Sequence, residues 1–162
     1  PGMKPLVVVM GVAGCGKTEV GIRLSEALGV PFYDGDDYHP PENVAKMSAG
    51  NPLNDDDRVG WLAHLADLLG EHRERGCIVA CSALKEKYRD QLRGSSDPRF
   101  VHLVVTPATA EARLRSRAGH FMPASLVASQ FDALEAPATA ATVDAEQPLD
   151  DVVRRAIDAL EH

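Results

Sequence analysis

One stretch near the start of the chain constrains the fold more than any other. Leu6–Met10 is a continuous apolar, β-branched run, as expected for a strand buried on both faces. It leads directly into Gly11-Val12-Ala13-Gly14-Cys15-Gly16-Lys17-Thr18, a full match to G-x-x-x-x-G-K-[ST]. Val20, Leu24, Ala27 and Leu28 then give a helical apolar stripe, and Gly29 is placed to end it. In such a strand–loop–helix unit the glycines let backbone N–H groups turn inward on phosphate oxygens, and the helix adds its positive dipole end. The motif therefore predicts an ATP site. Gly11, Val12, Ala13, Gly14, Cys15 and Gly16 form the cradle, Lys17 reaches the β- and γ-phosphates, and Thr18 ligates Mg²⁺. The loop works through its backbone, so the Cys15 side chain is read as incidental.

The rest of the chain alternates strand and helix signals. Residues 30–34 read as a second strand, 78–81 as a third, 100–105 as a fourth and 141–144 as a weak fifth. Trp61, Leu62, Leu65, Leu68 and Leu69 mark an amphipathic helix, with caps and negative charge supplied by Asn54, Asp55, Asp56 and Asp57. A helix is read over 85–93, another from Thr106 as N-cap and Pro107 as N1, and a last one on the stripe Leu149, Val152, Val153, Ala156, Ile157 and Leu160. Strands alternating with helices imply βαβ units, an α/β class and a parallel sheet covered on both faces. The 162 residues fit one domain, 1–162. Two stretches interrupt the alternation, 39–57 and 119–138, and insertions at the carboxyl ends of parallel strands are where ligands are held.

A net charge of −7 disfavours nucleic acid, which demands a basic face. No apolar run approaches the ~20 residues that span a bilayer, and no signal-peptide pattern opens the chain. Three cysteines without a Cys-x-x-Cys spacing argue against a disulfide framework or a zinc site, and a cytoplasmic location is expected.

Several polar groups could surround a second ligand. Asp34 and Asp36 are two apart in extended backbone and project to the same side. One could hold Mg²⁺ through water and the other accept a proton from an attacking hydroxyl; a solvated acidic turn is the competing reading. Arg58 can fork onto a carboxylate ligand. Lys85 and Arg89 share a helix face, as do Arg113 and Arg117, and such pairs can neutralise transferring charge or be plain solvated faces.

The segments 11–20 (GVAGCGKTEV), 34–58 (DGDDYHPPENVAKMSAGNPLNDDDR), 61–62 (WL), 81–93 (CSALKEKYRDQLR) and 120–137 (HFMPASLVASQFDALEAP) together resemble the bacterial-type gluconokinase family, small P-loop kinases related in fold to shikimate kinase. They span most of the chain in the family's order. The resemblance implies phosphorylation of D-gluconate by ATP with Mg²⁺, giving 6-phospho-D-gluconate, on a three-layer α/β/α core. It implies an acceptor-binding segment at about 39–75 and a lid with its following helix at about 115–138. By similarity Asp36 is the base and Asp34 the metal-side carboxylate beside Thr18. Lys17 and Arg117 act on the transferring phosphoryl group, and Arg113 stands near the phosphates. Arg58, Lys85 and Arg89 face the sugar acid, joined by His39 and His120 from the matched segments. The family's homodimer is expected too. Gly60 stands where the family often has proline before Trp-Leu. Two rivals are a shikimate- or nucleotide-kinase-like enzyme and a non-catalytic ATP-binding module; the module would need neither Asp36 nor the paired cations.

Overall fold

The computed structural model of the chain describes residues 4–94, 96–116 and 124–161. Five strands form one parallel sheet in the order β2-β3-β1-β4-β5: β1 Leu6–Met10, β2 Phe32–Asp34, β3 Cys77–Ala80, β4 Arg99–Val104 and β5 Ala141–Asp144. Val7, Val8, Val9 and Met10 of β1 have no exposed surface. Alternation along the strand sends them into two cores. Val7 and Val9 join Val20 and Leu24 of α1 (Lys17–Leu28) with Val152 and Ala156 of α7 (Leu149–Glu161) on one face. Val8 and Met10 join Trp61, Leu62, Leu65 and Leu69 of α3 (Asp55–Glu71) with Tyr88 and Leu92 of α4 (Glu86–Arg93) on the other. Burying each such aliphatic side chain is worth about 1.5–3 kcal/mol, so the sheet is held from both sides.

Element ends follow local chemistry. α1 stops at Gly29 in left-handed backbone (φ 70°), whose N–H donates to Ser25 O. The Val30 N–H also donates to Ser25 O, at 3.1 Å, and Pro31 has no N–H to give. For that reason β2 begins at Phe32 rather than at residue 30. α3 begins earlier than its apolar stripe, at a reciprocal capping box: Asp57 N donates to Asn54 Oδ1 at 2.8 Å and Asn54 N to Asp57 Oδ2 at 2.9 Å. Thr106 caps α5 (Pro107–Arg115) as expected, accepting from Thr109 N. The interrupting stretches contribute two further helices, α2 (Pro41–Ser48) and α6 (Ala124–Ala133). Cys15, Cys77 and Cys81 are free thiols. Among the described residues no helix is long and apolar enough to cross a membrane.

From β3 the chain crosses β1 to reach β4 on the other side. The carboxyl end of β1 is thus the topological switch point, where α/β sheets of this kind leave a crevice for ligands.

Candidate active site

The loop Gly11–Thr18 sits at that switch point, and its glycines have steric reasons to be there. A Cβ on Gly14 (φ 84°) would lie 2.5 Å from Ala110 O of α5, and Gly16, the N-cap of α1, adopts φ 98°. Lys17 folds back over its own loop, donating from Nζ to Gly11 O at 3.0 Å and Val12 O at 3.1 Å. Thr18 Oγ1 donates to Asp34 Oδ2 at 3.5 Å, so a hydroxyl and a carboxylate from two elements converge beside Lys17. These are hard oxygen donors, the kind Mg²⁺ takes, and the residues present fit that ion.

A cleft of about 210 Å³ opens in front of the loop, lined among others by Lys17, Thr18, Asp34, Asp36, His39 and Arg58. Asp34 Oδ1 also accepts from Asp36 N at 3.0 Å, capping the 3₁₀ turn Gly35–Tyr38 that carries Asp36. Gly35 presses on β3: an added Cβ would meet Ala80 O at 2.4 Å. That close approach sets the backbone between Asp34 and Asp36 against β3. The His39 side chain is only 3% exposed; its ring stacks on Trp61 at 4.0 Å and 19°, and Nε2 lies 3.9 Å from Asp36 Oδ1. Desolvation, then the Arg58 charge, pushes its pKa down to about 4, so His39 is neutral at physiological pH.

The cations expected around the acceptor separate in the structure. Arg58 lines the cleft, donating to Leu53 O at 2.8 Å and Tyr88 Oη at 3.1 Å with its guanidinium over the Tyr88 ring. Lys85 is not among the cleft-lining residues; it is the N-cap of α4 and pairs with Asp55 Oδ1 at 3.8 Å. Lys87 and Tyr88 also bond Asp55, and these hydrogen bonds, Lys87's foremost, hold its carboxyl down to about 2. Arg89 departs furthest from the expectation that it faces a sugar acid. It has no exposed surface and donates from Nη1 (3.1 Å) and Nη2 (2.7 Å) to Glu135 O, beyond α6. Its Nε stands 3.1 Å from Glu86 Oε2 in an ion pair angled too poorly for a hydrogen bond. Burial behind α4 spends this guanidinium inside the protein.

Arg113 touches the phosphate loop from behind, donating to Cys15 O at 3.3 Å and Ala145 O at 2.7 Å. It lines a second cleft, of about 310 Å³, together with Gly14, Cys15, Gly16, Ala145, Gln147 and Leu149. Arg117 and His120 lie outside the described residues.

Three polar groups of the front cleft escape a reading by motif. Gln130 of α6 accepts from Ala13 N at 2.6 Å, joining that helix to the phosphate loop, and Ser129 beside it lines the same cleft. Ser82, just past β3, also lines it, and its carbonyl accepts from Gly11 N at 3.2 Å. Gln130 and Ser129 lie within the matched segment 120–137, which was the only sequence signal available for them.

Comparison with known proteins gives the family. The shikimate kinase family model matches residues 13–147. A gluconokinase of Gluconobacter oxydans (strain 621H) is 51% identical over 140 residues, 84% of this chain and 79% of that protein. The thermoresistant gluconokinase of Escherichia coli (strain K12) is 39% identical over 162 residues, 96% of this chain and 93% of that one. The crystal structure of a gluconokinase from Sinorhizobium meliloti 1021 superimposes with a TM-score of 0.89 at 44% identity, covering 99% of this chain and 94% of that chain. With 84–99% of the chain covered at 39–51% identity, and a phosphate loop at the switch point of a five-stranded parallel sheet, the chain belongs to the gluconokinase family, within the shikimate kinase group of P-loop kinases.

Proposed function

We infer that the chain transfers the γ-phosphoryl group of ATP to the primary hydroxyl of D-gluconate, giving 6-phospho-D-gluconate and ADP. The observation that carries this is one cleft holding Lys17, the carboxylates of Asp34 and Asp36, and the Arg58 guanidinium together. Phosphoryl transfer asks little covalent work of a protein; it needs positioning, cations for developing charge and exclusion of water.

In this reading the N–H groups of Gly11–Thr18 receive the phosphates, and Lys17 leaves the carbonyls of Gly11 and Val12 for the β/γ-phosphate oxygens. Thr18 and Asp34 hold Mg²⁺, which shields the phosphate charge when bound. Asp36 takes the proton of the acceptor hydroxyl, and Arg58 receives the sugar-acid carboxylate. The cleft behind the loop, between Arg113 and Gln147, is where the nucleoside end of ATP fits. Lys85 supports Arg58 indirectly, through Asp55 and Tyr88. Residues 39–75 act as the acceptor segment and 115–138 as the lid, with Arg117 serving the phosphates and His120 the sugar acid. By family likeness the enzyme works as a cytoplasmic homodimer.

A coupled assay of ADP release with D-gluconate, other aldonates, shikimate and AMP tests the assignment. Release that depends on gluconate is expected. A preference for shikimate or AMP, or nucleotide binding with no acceptor-dependent release, overturns it.

A further inference from the structure

Asn43 is one of three buried polar or charged residues among those described, at 3% exposure. It lies on α2, and its carboxamide reaches two partners. Nδ2 is 2.8 Å from the carbonyl oxygen of Asp57 on α3 and 3.2 Å from His39 Nδ1. A carbonyl can only accept, so the amide atom facing Asp57 must be the nitrogen; this fixes the orientation of the group. The same NH₂ has a second hydrogen and no lone pair to offer. His39 Nδ1, facing it, must therefore be the ring nitrogen with the lone pair, and in a neutral imidazole the proton then sits on Nε2.

The ring has little freedom to escape this arrangement. It is stacked on Trp61, and Trp61 is pinned by its own Nε1–H, which donates to Gly35 O at 2.8 Å. Nε2 thus points along the cleft wall beside Asp36, 3.9 Å from Oδ1. That separation is too long for a direct hydrogen bond, yet one oxygen atom set to the side can stand within about 3 Å of both. A hydroxyl suits this position: it accepts from Nε2–H and donates to the carboxylate. A methylene could do neither, and a carboxylate would be repelled by Asp36.

We propose that Asn43 locks His39 in the Nε2-protonated tautomer, making His39 the hydrogen-bond donor that, with Asp36 as acceptor, seats a hydroxyl of the acceptor substrate. The proposal rests on the functional reading above for the identity of that hydroxyl. Asn43 is a positioning residue; His39 touches substrate.

Nitrogen-15 NMR of the full chain at neutral pH tests the lock without any ligand, the His39 signal being assigned by its loss in His39→Gln. The expected pattern is a pyridine-type Nδ1 and a pyrrole-type Nε2. A protonated Nδ1, whether as the other tautomer or as imidazolium, overturns the proposal. Asn43→Asp replaces the donor by an acceptor and should move a proton onto Nδ1; an unchanged pattern shows that Asn43 does not set the tautomer.

Kinetics test the consequence. Asn43→Leu and His39→Leu should each raise the gluconate KM roughly tenfold while the ATP KM stays within about twofold, and His39→Gln, whose amide can donate from the same place, should recover most of the loss. Equal rises in both KM values, or no rescue by glutamine, mean a merely structural role and refute it. If Asn43→Leu fails to fold, the His39 pair and the wild-type nitrogen shifts still decide. If the wild-type chain shows no gluconate-dependent ADP release, the functional reading falls by itself, and the shifts alone accept or reject the donor assignment.

Discussion

Replacing Arg89 with alanine should unfold the protein more readily and leave gluconate recognition nearly intact. The guanidinium is fully buried and sends two hydrogen bonds to the carbonyl of Glu135, which would be left without those donors. Hydrogen bonds from a charged donor are worth about 1.5–3 kcal/mol each, so about 3–6 kcal/mol is lost. Part of this returns, because the charge no longer has to be desolvated and its ion-pair partner Glu86, 50% exposed, rehydrates freely. A net destabilisation of about 3 kcal/mol corresponds to a fall in Tm of about 6–12 °C for a chain of this size. Glu135 keeps two bonds that do not need Arg89, its N donating to Leu84 O at 2.7 Å and its Oε1 accepting from Glu86 N at 2.9 Å, which limits the loss. Arg89→Lys keeps the charge but not the fork, so it should lose about half as much. Differential scanning calorimetry with parallel steady-state kinetics decides between the roles. A Tm unchanged within about 2 °C, together with a gluconate KM raised more than about tenfold, would show that Arg89 reaches the substrate.

Four further outcomes are expected. Lys17→Ala should lower kcat by at least ~10²-fold with little change in Tm, because the side chain bonds only its own loop in the described structure; wild-type-like turnover would overturn the phosphate-loop assignment. Asp36→Asn should lower kcat by at least ~10²-fold with nucleotide affinity nearly unchanged. Loss of ATP·Mg²⁺ binding in that variant would instead make Asp36 the metal-side carboxylate. Arg58→Met should raise the gluconate KM by at least about 30-fold and the ATP KM far less, since a ligand carboxylate would lose its charged partner; the reverse ordering would place Arg58 at the nucleotide. Stability should fall as pH drops from about 6.5 toward about 4, because His39 in the unfolded chain takes up a proton that the buried ring resists, and denaturant melts should show a shallower slope in His39→Gln; an unchanged slope refutes the assignment to His39, leaving buried His102, also shifted down by desolvation, as the source.

Features that depend on a few adjacent residues were legible in the sequence. The phosphate loop is one: its spacing, its glycines and its flanking strand and helix are all local, and the structure sets the loop between β1 and α1, whereas the approach of Thr18 to Asp34 is a contact between separate elements. The cap of α5 at Thr106 and the stop of α1 at Gly29 are others, each set by one side chain or one left-handed residue. The order of elements and the parallel sheet followed from alternation alone. The strand order β2-β3-β1-β4-β5, which makes the end of β1 a crevice, needed the folded chain.

Only tertiary structure could separate the cations. Arg58 and Arg89 are the same residue type at the starts of neighbouring helices, and pattern treats them alike. Docking of the stretch after α6 on α4 seals Arg89 beneath Glu135, whereas Arg58 is left on the cleft wall by the turn of α3. Asn43, His39 and Trp61 come from three separate elements, and nothing in their spacing records that a carboxamide faces one ring nitrogen. The partners of a buried polar group are chosen by distance in space. Those distances are set by how α2, α3 and the turn after β2 pack together, so the sequence by itself determined the phosphate loop and the sheet, and the folded structure decided which polar side chains serve a ligand and which serve the fold.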